Sequence, residues 1–544
     1  MSLHSTYSRQ YDNTKNPSKI QRKLQKLTRS LRCFSSLTKN FKMTVTMLQL
    51  HSPSSTAIVK PPPLFIDSTH DTRLPLELWL EVLEHLTAPS IKALTRTCKI
   101  FRWIAQPLLF KLFVVRLHVS THFPHTIRWD AHPTYARERL SLLEYPHIAN
   151  AVEEVRILPT ASSPSDNTQA RAPGPLVSSI EEVIDDVFTA LPSLGNLKRL
   201  VCHQIAFNPS RLLTLQRLHQ LQELELQSCY TVCNTKSFPD LSSVPLETLT
   251  FDYPYSSLDF YRNSRFLAVF LQSPKLRRIF AGPAHDILFA ITAIQPLDSL
   301  TTLEIPVSCL ASSMFIPALA SCSAVKELSL HMALGNNHLP QLDLELIPPE
   351  VLPELRSYRG PRMYAPLFTK DRDVTHVEIT LSCQPDELSG TLLGLDADLE
   401  SLTCKVHHLD APLLKTIHTL FPSLKHLAIS GAAVDIHSLS SFLDVAKMHR
   451  DLRSIHLTAQ FGLPRLTASW RVIASRMFLT RLIQSYPALQ TAKLTYQPES
   501  AMVWDRPAHM TELGPVADGK ELRVEKQNDT MRKTSNLWEV FRGK

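Results

Sequence analysis

The sequence predicts an α/β protein in which a short all-helical module is followed by an irregular solenoid, a curved parallel sheet with helices on its outer side. Two observations predict the solenoid. An apolar motif of the form L-x-x-L-x-L, with conservative replacements, recurs about every 25 residues between residues 148 and 497. Stretches of helical periodicity fall between many of its copies. A third observation predicts the module: residues 74–105 carry two amphipathic helical stripes and no copy of the motif.

The first 70 residues read as a disordered basic arm. They hold eleven Lys/Arg against Asp12 and Asp67, which leaves 47 basic and 48 acidic groups of the chain's 58 and 50 for residues 71–544. The formal net charge of +8 therefore belongs to the arm, and a charge-neutral body argues against nucleic acid as the partner. Being Ser-rich and acid-poor, the arm also fits an organelle signal or an upstream-extended start ahead of Met43 or Met47. Pro61, Pro62 and Pro63 close it, because consecutive prolines hold the backbone extended.

The helical module is placed at 71–115. Pro75 suits a first helical turn, and Leu78, Val82, Leu83 and Leu86 recur at helical spacing. Pro89 and Ser90 end that helix and begin another, whose stripe is Ile91, Leu94, Cys98, Phe101 and Ile104. Two short helices cannot cover so many apolar side chains, so the module needs a partner surface. Residues 116–147 read as a linker.

The motif occurs as LKRLVC from Leu197, LQELEL from Leu221, LETLTF from Leu246, LRRIFA from Leu276, LTTLEI from Leu300 and VKELSL from Val325. It continues as LRSYRG from Leu355, VTHVEI from Val374, LESLTC from Leu399, LKHLAI from Leu424, LRSIHL from Leu452 and LQTAKL from Leu489, and VEEVRI from Val152 is a candidate opening copy. Alternation within the motif is that of a strand, with the fourth and sixth positions on the core side and the third and fifth on the open side. Ile180, Val183, Ile184, Val187 and Phe188 form a helical stripe behind Ser179 and Glu182, which are spaced as a capping box. Similar stretches run over 256–272, 434–449 and 470–485. A strand, turn and helix of this length cannot bury its own apolar face, so the units must stack. Residues 159–176 are too poor in apolar side chains to order themselves and read as a disordered insertion, and 498–544 read as a cap or tail.

Nine scattered cysteines with no secretory leader pattern indicate a reducing compartment and no disulfide framework. The longest uncharged run, Ile305 to Val325, contains five serines and two prolines and is not a membrane span. No nucleotide-cradling, nucleophile-elbow or zincin motif is present, so no catalytic residues, cofactor or metal are expected. His118, His122, His125 and His132 cluster without an adjoining Cys or carboxylate, and Cys229 and Cys233 form a lone C-x-x-x-C with no second pair. Glu181, Glu182, Asp185 and Asp186 read as a solvated helix flank.

The array resembles the leucine-rich-repeat family in its ribonuclease-inhibitor-like form. That family's motif continues to an Asn or Cys bridging adjacent turns, and here only Cys229, three after Leu226, fits it. The module resembles the F-box family, whose pattern opens Leu-Pro-x-Glu-Leu and ends Cys-Lys-x-aromatic-Arg. This sequence supplies Leu74, Pro75, Glu77, Leu78, Val82, Leu83, Leu86, Ile91, Leu94, Cys98, Lys99, Phe101 and Arg102, with Thr97 where the family has an apolar residue. The resemblance implies that these residues dock a Skp adaptor and, through it, a cullin scaffold. The chain would then be a non-enzymatic substrate receptor of an SCF-type ubiquitin ligase, in cytoplasm or nucleus, with an unknown protein as substrate. The alternative is a repeat scaffold not coupled to degradation. On the open face, Arg278, Phe280, Ser357 and Arg359 are the candidate substrate-binding residues, since arginine binds carboxylate or phosphate bidentately.

Overall fold

The computed structural model describes residues 76–118, 133–160, 175–232, 238–252, 260–282, 286–294, 296–332, 347–395, 398–433, 451–460, 468–486, 488–496, 500–505 and 523–526. The chain divides into Met1–Arg73 and Leu74–Lys544, and every described residue lies in the second unit. The basic arm, Leu74, Pro75, His122, His125, His132, Cys233, the helical stretch at 434–449 and most of the expected insertion lie outside the described residues.

Three helices open the described chain: α1 (Leu76–Glu84), α2 (Ala88–Leu94) and α3 (Lys99–Phe110). The strands that follow are β1 (Leu112–His118), β2 (Glu154–Thr160), β3 (Arg199–His203), β4 (Ala206–Phe207), β5 (Glu223–Gln227), β6 (Tyr230–Thr231), β7 (Thr248–Asp252), β8 (Arg278–Ala281) and β9 (Thr302–Pro306). They continue with β10 (Glu327–His331), β11 (Ser357–Gly360), β12 (His376–Cys383), β13 (Ser401–Val406), β14 (His426–Ala433), β15 (Ser454–Gln460), β16 (Thr491–Tyr496), β17 (Ser500–Asp505) and β18 (Arg523–Lys526). One sheet takes them in chain order, omitting only the paired β4 and β6. Neighbours from β1 to β16 are parallel, and β17 and β18 close the sheet antiparallel.

Each of the thirteen motif copies starts its strand on the third motif residue, and these residues sit in register, as in Glu154↔Arg199↔Glu223↔Thr248↔Arg278. A backbone ladder sets the register. The carbonyl of the second motif residue accepts two N–H donors from the next copy, as Glu153 O does from Lys198 and Arg199 at 2.9 and 3.1 Å, and this repeats from Lys111 to Arg453. The fourth and sixth positions are buried throughout, Leu224 with Leu226 and Leu303 with Ile305 among them, and join one continuous core. Burying each Leu, Ile, Val or Phe among them contributes about 1.5–3 kcal/mol before conformational entropy is charged against it.

Helices on the core side carry the returning chain. They are α4 (Pro133–Leu140), α5 (Pro146–Ala149), α6 (Pro175–Ala190), α7 (Pro209–Gln216), α8 (Phe260–Phe270), α9 (Asp286–Thr292), α10 (Phe315–Ala320), α11 (Ala365–Thr369), α12 (Pro385–Leu393), α13 (Ala411–Leu420) and α14 (Ala468–Ser485). Helix α6 starts at Pro175, one turn ahead of the expected capping box, so Ser179 lies inside it; proline fits an N-terminal turn at no hydrogen-bond cost.

The segment expected as a linker at 116–147 holds the end of β1 and the helices α4 and α5. β1 is one more copy of the repeat, Phe110-x-x-Phe113-x-Val115, in which aromatic residues occupy leucine positions. Phe113 and Val115 are buried, and Lys111 begins the carbonyl ladder. Nor is the acidic flank of α6 only solvated. Glu182 and Asp186 pair with Arg137 of α4 at 2.8 and 3.2 Å, and Glu181 and Asp185 pair with Arg211 of α7 at 2.7 Å each.

Repeat regularity is interrupted where register shifts enter between β12 and β13 and between β14 and β15. Gly431, with φ of +82°, sits at the second shift, a conformation that favours glycine. Cys229 behaves as the family's bridging residue, its Sγ donating to the carbonyl of Cys202 at 3.1 Å. Burial raises the thiols of Cys229, Cys309, Cys322 and Cys404 to about 12, so they act as apolar side chains. Among the described residues no helix is long and apolar enough to cross a membrane.

Candidate functional site

The helical module builds its own small core before it offers a surface. Leu83, Ile91, Ile104 and Ala105 are buried together, with Leu86, Leu94, Leu108 and Leu109 packed against them. Trp79 meets Phe101 edge to face at 5.0 Å, an arrangement that ring quadrupoles favour. The turn between α2 and α3 is held by its own side chains. Cys98 is extended at the N-terminus of α3 and its Sγ accepts the Phe101 N–H at 3.4 Å, while Arg102 Nε donates to Thr95 O at 3.2 Å. Thr97 is exposed and donates to Leu94 O at 2.8 Å, so a polar residue costs nothing there.

The thirteen residues expected to contact an adaptor therefore separate into different situations. Leu83 and Ile91 are interior, Leu86 and Leu94 line that interior, and Phe101 is half-buried. Leu78, Val82, Cys98, Lys99 and Arg102 are exposed. Glu77 lies on α1, and Leu74 and Pro75 lie outside the described residues. Leu78 and Val82 stand one turn apart and remain 43% and 44% exposed. Helical spacing puts Lys99, Arg102 and Trp103 on one side of α3, where Trp103 is 45% exposed. Sequence reasoning missed Trp103 and the Trp79–Phe101 pair, although i, i+4 spacing from Lys99 was a signal for the former.

Nothing flexible separates this module from the array. Helix α3 ends at Phe110, which packs on the array core, and only Lys111 stands between it and β1. The module and the first repeat share a backbone ladder.

On the open face, Arg278 and Phe280 lie on β8 and Ser357 and Arg359 on β11, the outer two of four consecutive strands, with Arg278↔Thr302↔Glu327↔Ser357 and Phe280↔Glu304↔Ser329↔Arg359 in register. Arg278 is exposed and makes no ion pair among the described residues, whereas Arg359 pairs with Glu378 at 3.2 Å. His331 lies 3.7 Å from Glu304, beyond hydrogen-bond length, and burial together with Arg359 lowers its pKa to about 4, so it is neutral at pH 7 and no ion pair forms. Burial raises the Glu304 carboxyl, opposed by Arg359. Near β2 and β3 the face is self-neutralised: Arg199 pairs with Glu225 at 2.9 Å, Glu223 at 3.5 Å and Glu154 at 3.6 Å.

On the core side, an open groove of about 580 Å³ runs beside α4, α5 and α6 and brings Arg137, Glu144 and Asp186 together. Its arginine is already held by Asp186 and Glu182. Among the described residues no group of three or more His, Cys, Asp or Glu has the arrangement to hold a metal ion.

The F-box domain pattern matches residues 72–104 of this chain. No curated protein matches the sequence. Among solved structures, an internalin from Listeria monocytogenes is similar at 15% identity over 57% of this chain and 78% of its own, with a TM-score of 0.23. Toll, in the Toll–Spatzle complex of Drosophila, is similar at 12% over 71% and 55%, with a TM-score of 0.29. TLR13, in its complex with ssRNA13, is similar at 13% over 65% and 45%, with a TM-score of 0.30. The chain spans about half the length of these last two. With one strand per motif copy in an unbroken parallel order, the helical module is an F-box domain and the rest of the described chain is a leucine-rich-repeat-like α/β solenoid.

Proposed function

We propose that this chain is the substrate-recognition subunit of an SCF-type ubiquitin ligase. In this reading the F-box docks a Skp adaptor and through it a cullin, and the array binds the protein to be modified. The observation that carries it is an F-box domain whose Leu78, Val82 and Trp103 stay exposed, joined without a linker to a repeat array. F-box domains generally bind Skp adaptors, and a repeat array presents a long surface to a protein. The chain performs no chemistry of its own here; ubiquitin transfer belongs to other subunits, in cytoplasm or nucleus. Pairs such as Arg137 with Asp186 and Arg211 with Asp185 brace neighbouring helices of the array.

Arg278, with Phe280 beside it, is the available cation of the four proposed substrate-binding residues, Ser357 and Arg359 completing the patch. Changing Arg278 and Arg359 together to Glu should reduce partner capture and leave adaptor binding intact.

The test of function is co-purification of the full chain with a Skp adaptor and identification of captured proteins, followed by reconstitution with cullin, ubiquitin and the activating and conjugating enzymes. Ubiquitination of the captured protein supports the reading. Capture without adaptor binding or ubiquitination would instead establish a scaffold uncoupled from degradation.

A further inference from the structure

The turn between α2 and α3 gathers cations that nothing in the F-box itself neutralises. Lys92, Arg96, Lys99 and Arg102 lie in or beside it, all four exposed, and no Asp or Glu stands between Glu84 and Asp130 in the chain. None of the four makes an ion pair among the described residues. Like charges collected in this way repel one another, so an anion placed among them is stabilised. Arg102 is also fixed in place: its Nε donates to Thr95 O at 3.2 Å, which lays the guanidinium on the turn while its remaining N–H donors meet no carboxylate.

Thr97 stands in the same turn, two residues from the carbonyl that Arg102 holds. It is exposed, and its hydroxyl donates to Leu94 O at 2.8 Å, which leaves the oxygen lone pairs open. The other hydroxyls nearby are less available. Thr95 is half-buried and donates to Lys92 O at 2.9 Å, while Thr87 and Ser90 are hydrogen-bonded to each other at 3.0 Å. Protein kinases select substrates by charge pattern as well as by access, and the flanks Arg96 and Lys99 suit a kinase that reads basic residues. A phosphate on this oxygen carries a charge of about −1.5 to −2 and acceptor oxygens that match guanidinium and ammonium donors.

We propose that Thr97 is a phosphorylation site for a Ser/Thr protein kinase that reads basic residues, and that its phosphate, held by Arg102 and Lys99, closes the F-box to its adaptor. This rests on the adaptor-docking reading and adds a regulation to it. In the transfer, Thr97 Oγ1 attacks the γ-phosphorus of ATP. The new O–P bond forms as the bond from that phosphorus to the β,γ-bridging oxygen breaks, ADP leaves with the electron pair, and the hydroxyl proton passes to the kinase's base. The phosphate then occupies Lys99 and Arg102, two of the residues expected to contact an adaptor. It also adds negative charge next to the side of α3 that an adaptor must cover, where desolvating a phosphate costs more than desolvating a hydroxyl.

The test begins with the unmodified full chain, whose binding to a Skp adaptor is measured by calorimetric titration. Phosphoserine is then installed at position 97 by amber suppression, so that the modified state does not depend on finding the kinase. The modified chain should bind at least about tenfold more weakly, a factor equivalent to about 1.4 kcal/mol, with an unchanged thermal melt. Its phosphorus resonance, followed against pH, should give a second pKa below the ordinary value of about 6, and Lys99→Gln with Arg102→Gln should return it toward that value. In a second arm the unmodified chain is incubated with ATP and a panel of Ser/Thr kinases that read basic residues. Mass spectrometry should place phosphate on Thr97, prebound adaptor should slow its uptake, and Thr97→Val should remove both the uptake and the kinase-dependent loss of binding. Equal adaptor binding by modified and unmodified chains overturns the proposal, as does a panel that leaves Thr97 unmodified or a phosphate pKa indifferent to the two cations. Failure of the unmodified chain to bind the adaptor overturns the ligase reading and this one with it, whereas normal binding that ignores the phosphate overturns this one alone.

Discussion

Replacing Leu78 and Val82 with Ser and Trp103 with Ala should abolish adaptor binding and leave the F-box folded. Full burial of a Leu or Val side chain is worth about 1.5–3 kcal/mol. With 43% and 44% of these two residues still exposed, a partner that covers them gains about 1 kcal/mol from each. Trp103 is 45% exposed; against a total near 250 Å², about 110 Å² remains to be covered, worth roughly 2–3 kcal/mol at about 25 cal/mol per Å². Together they amount to about 4 kcal/mol, so the triple variant should weaken adaptor binding by at least about 100-fold even when the contributions fall short of additivity. Calorimetric titration of purified chain with a Skp adaptor measures the loss, and a thermal melt should show little change because these side chains are already in water. Leu83→Ala is the contrast: fully buried, it should cost about 2–5 kcal/mol of module stability and lose binding through unfolding. If the triple variant binds the adaptor as tightly as the parent chain and melts normally, docking lies on another face and the assignment of this surface is wrong.

Arg211→Met should lower the urea midpoint by an amount equivalent to about 1.5–3 kcal/mol. Arg211 is 2% exposed and links α6 to α7, but its partners Glu181 and Asp185 are about half exposed and can rehydrate, so the loss should fall below that of breaking a fully buried pair. Acidification should weaken the array through His331. Its folded pKa of about 4 lies below the usual value of 6.5, so its stabilising contribution is complete above about pH 6.5 and is lost as pH falls toward 4. Between pH 7.5 and 5.5 that is about 1 kcal/mol, before Glu304, whose raised pKa acts in the opposite sense at lower pH, contributes; His331→Gln should flatten this part of the profile in urea titrations at each pH. Ending the chain before Ser500 removes β17 with its buried Trp504 and bares the edge of β16, so the product should melt lower and self-associate in light scattering, whereas a chain ending at 527 should not.

The solenoid was legible because each unit buries one face, and alternation at period two is the direct signature of that burial. Every strand predicted from a Leu or Val at the first motif position exists. The copy that escaped begins with Phe110, which is also the last residue of an F-box helix; its aromatic side chains hid the pattern, and α4 and α5 lay in what composition made a linker. The braces on α6 were invisible for another reason. Arg137 and Arg211 lie 45 and 30 residues from their glutamates, and no periodicity joins such positions. In the F-box module, the family pattern names residues that hold the helices together alongside residues that face outward. A helix this short with apolar residues on two sides does not reveal from sequence which stripe turns inward; packing of Leu83, Ile91 and Ile104 decides it.

The absence of a linker has a functional consequence that a two-domain reading would lack. Because Lys111 is both the residue after α3 and the first acceptor of the carbonyl ladder, the F-box is tied to the strand that templates the rest of the sheet. On the proposed reading, a partner's position relative to the adaptor would be a matter of strand count. The β8–β11 patch lies five to eight strand steps from β1, roughly 24–38 Å along the sheet at about 4.8 Å per step. On the substrate-receptor reading, the fixed ladder would hold a protein bound at that patch at one distance from the adaptor.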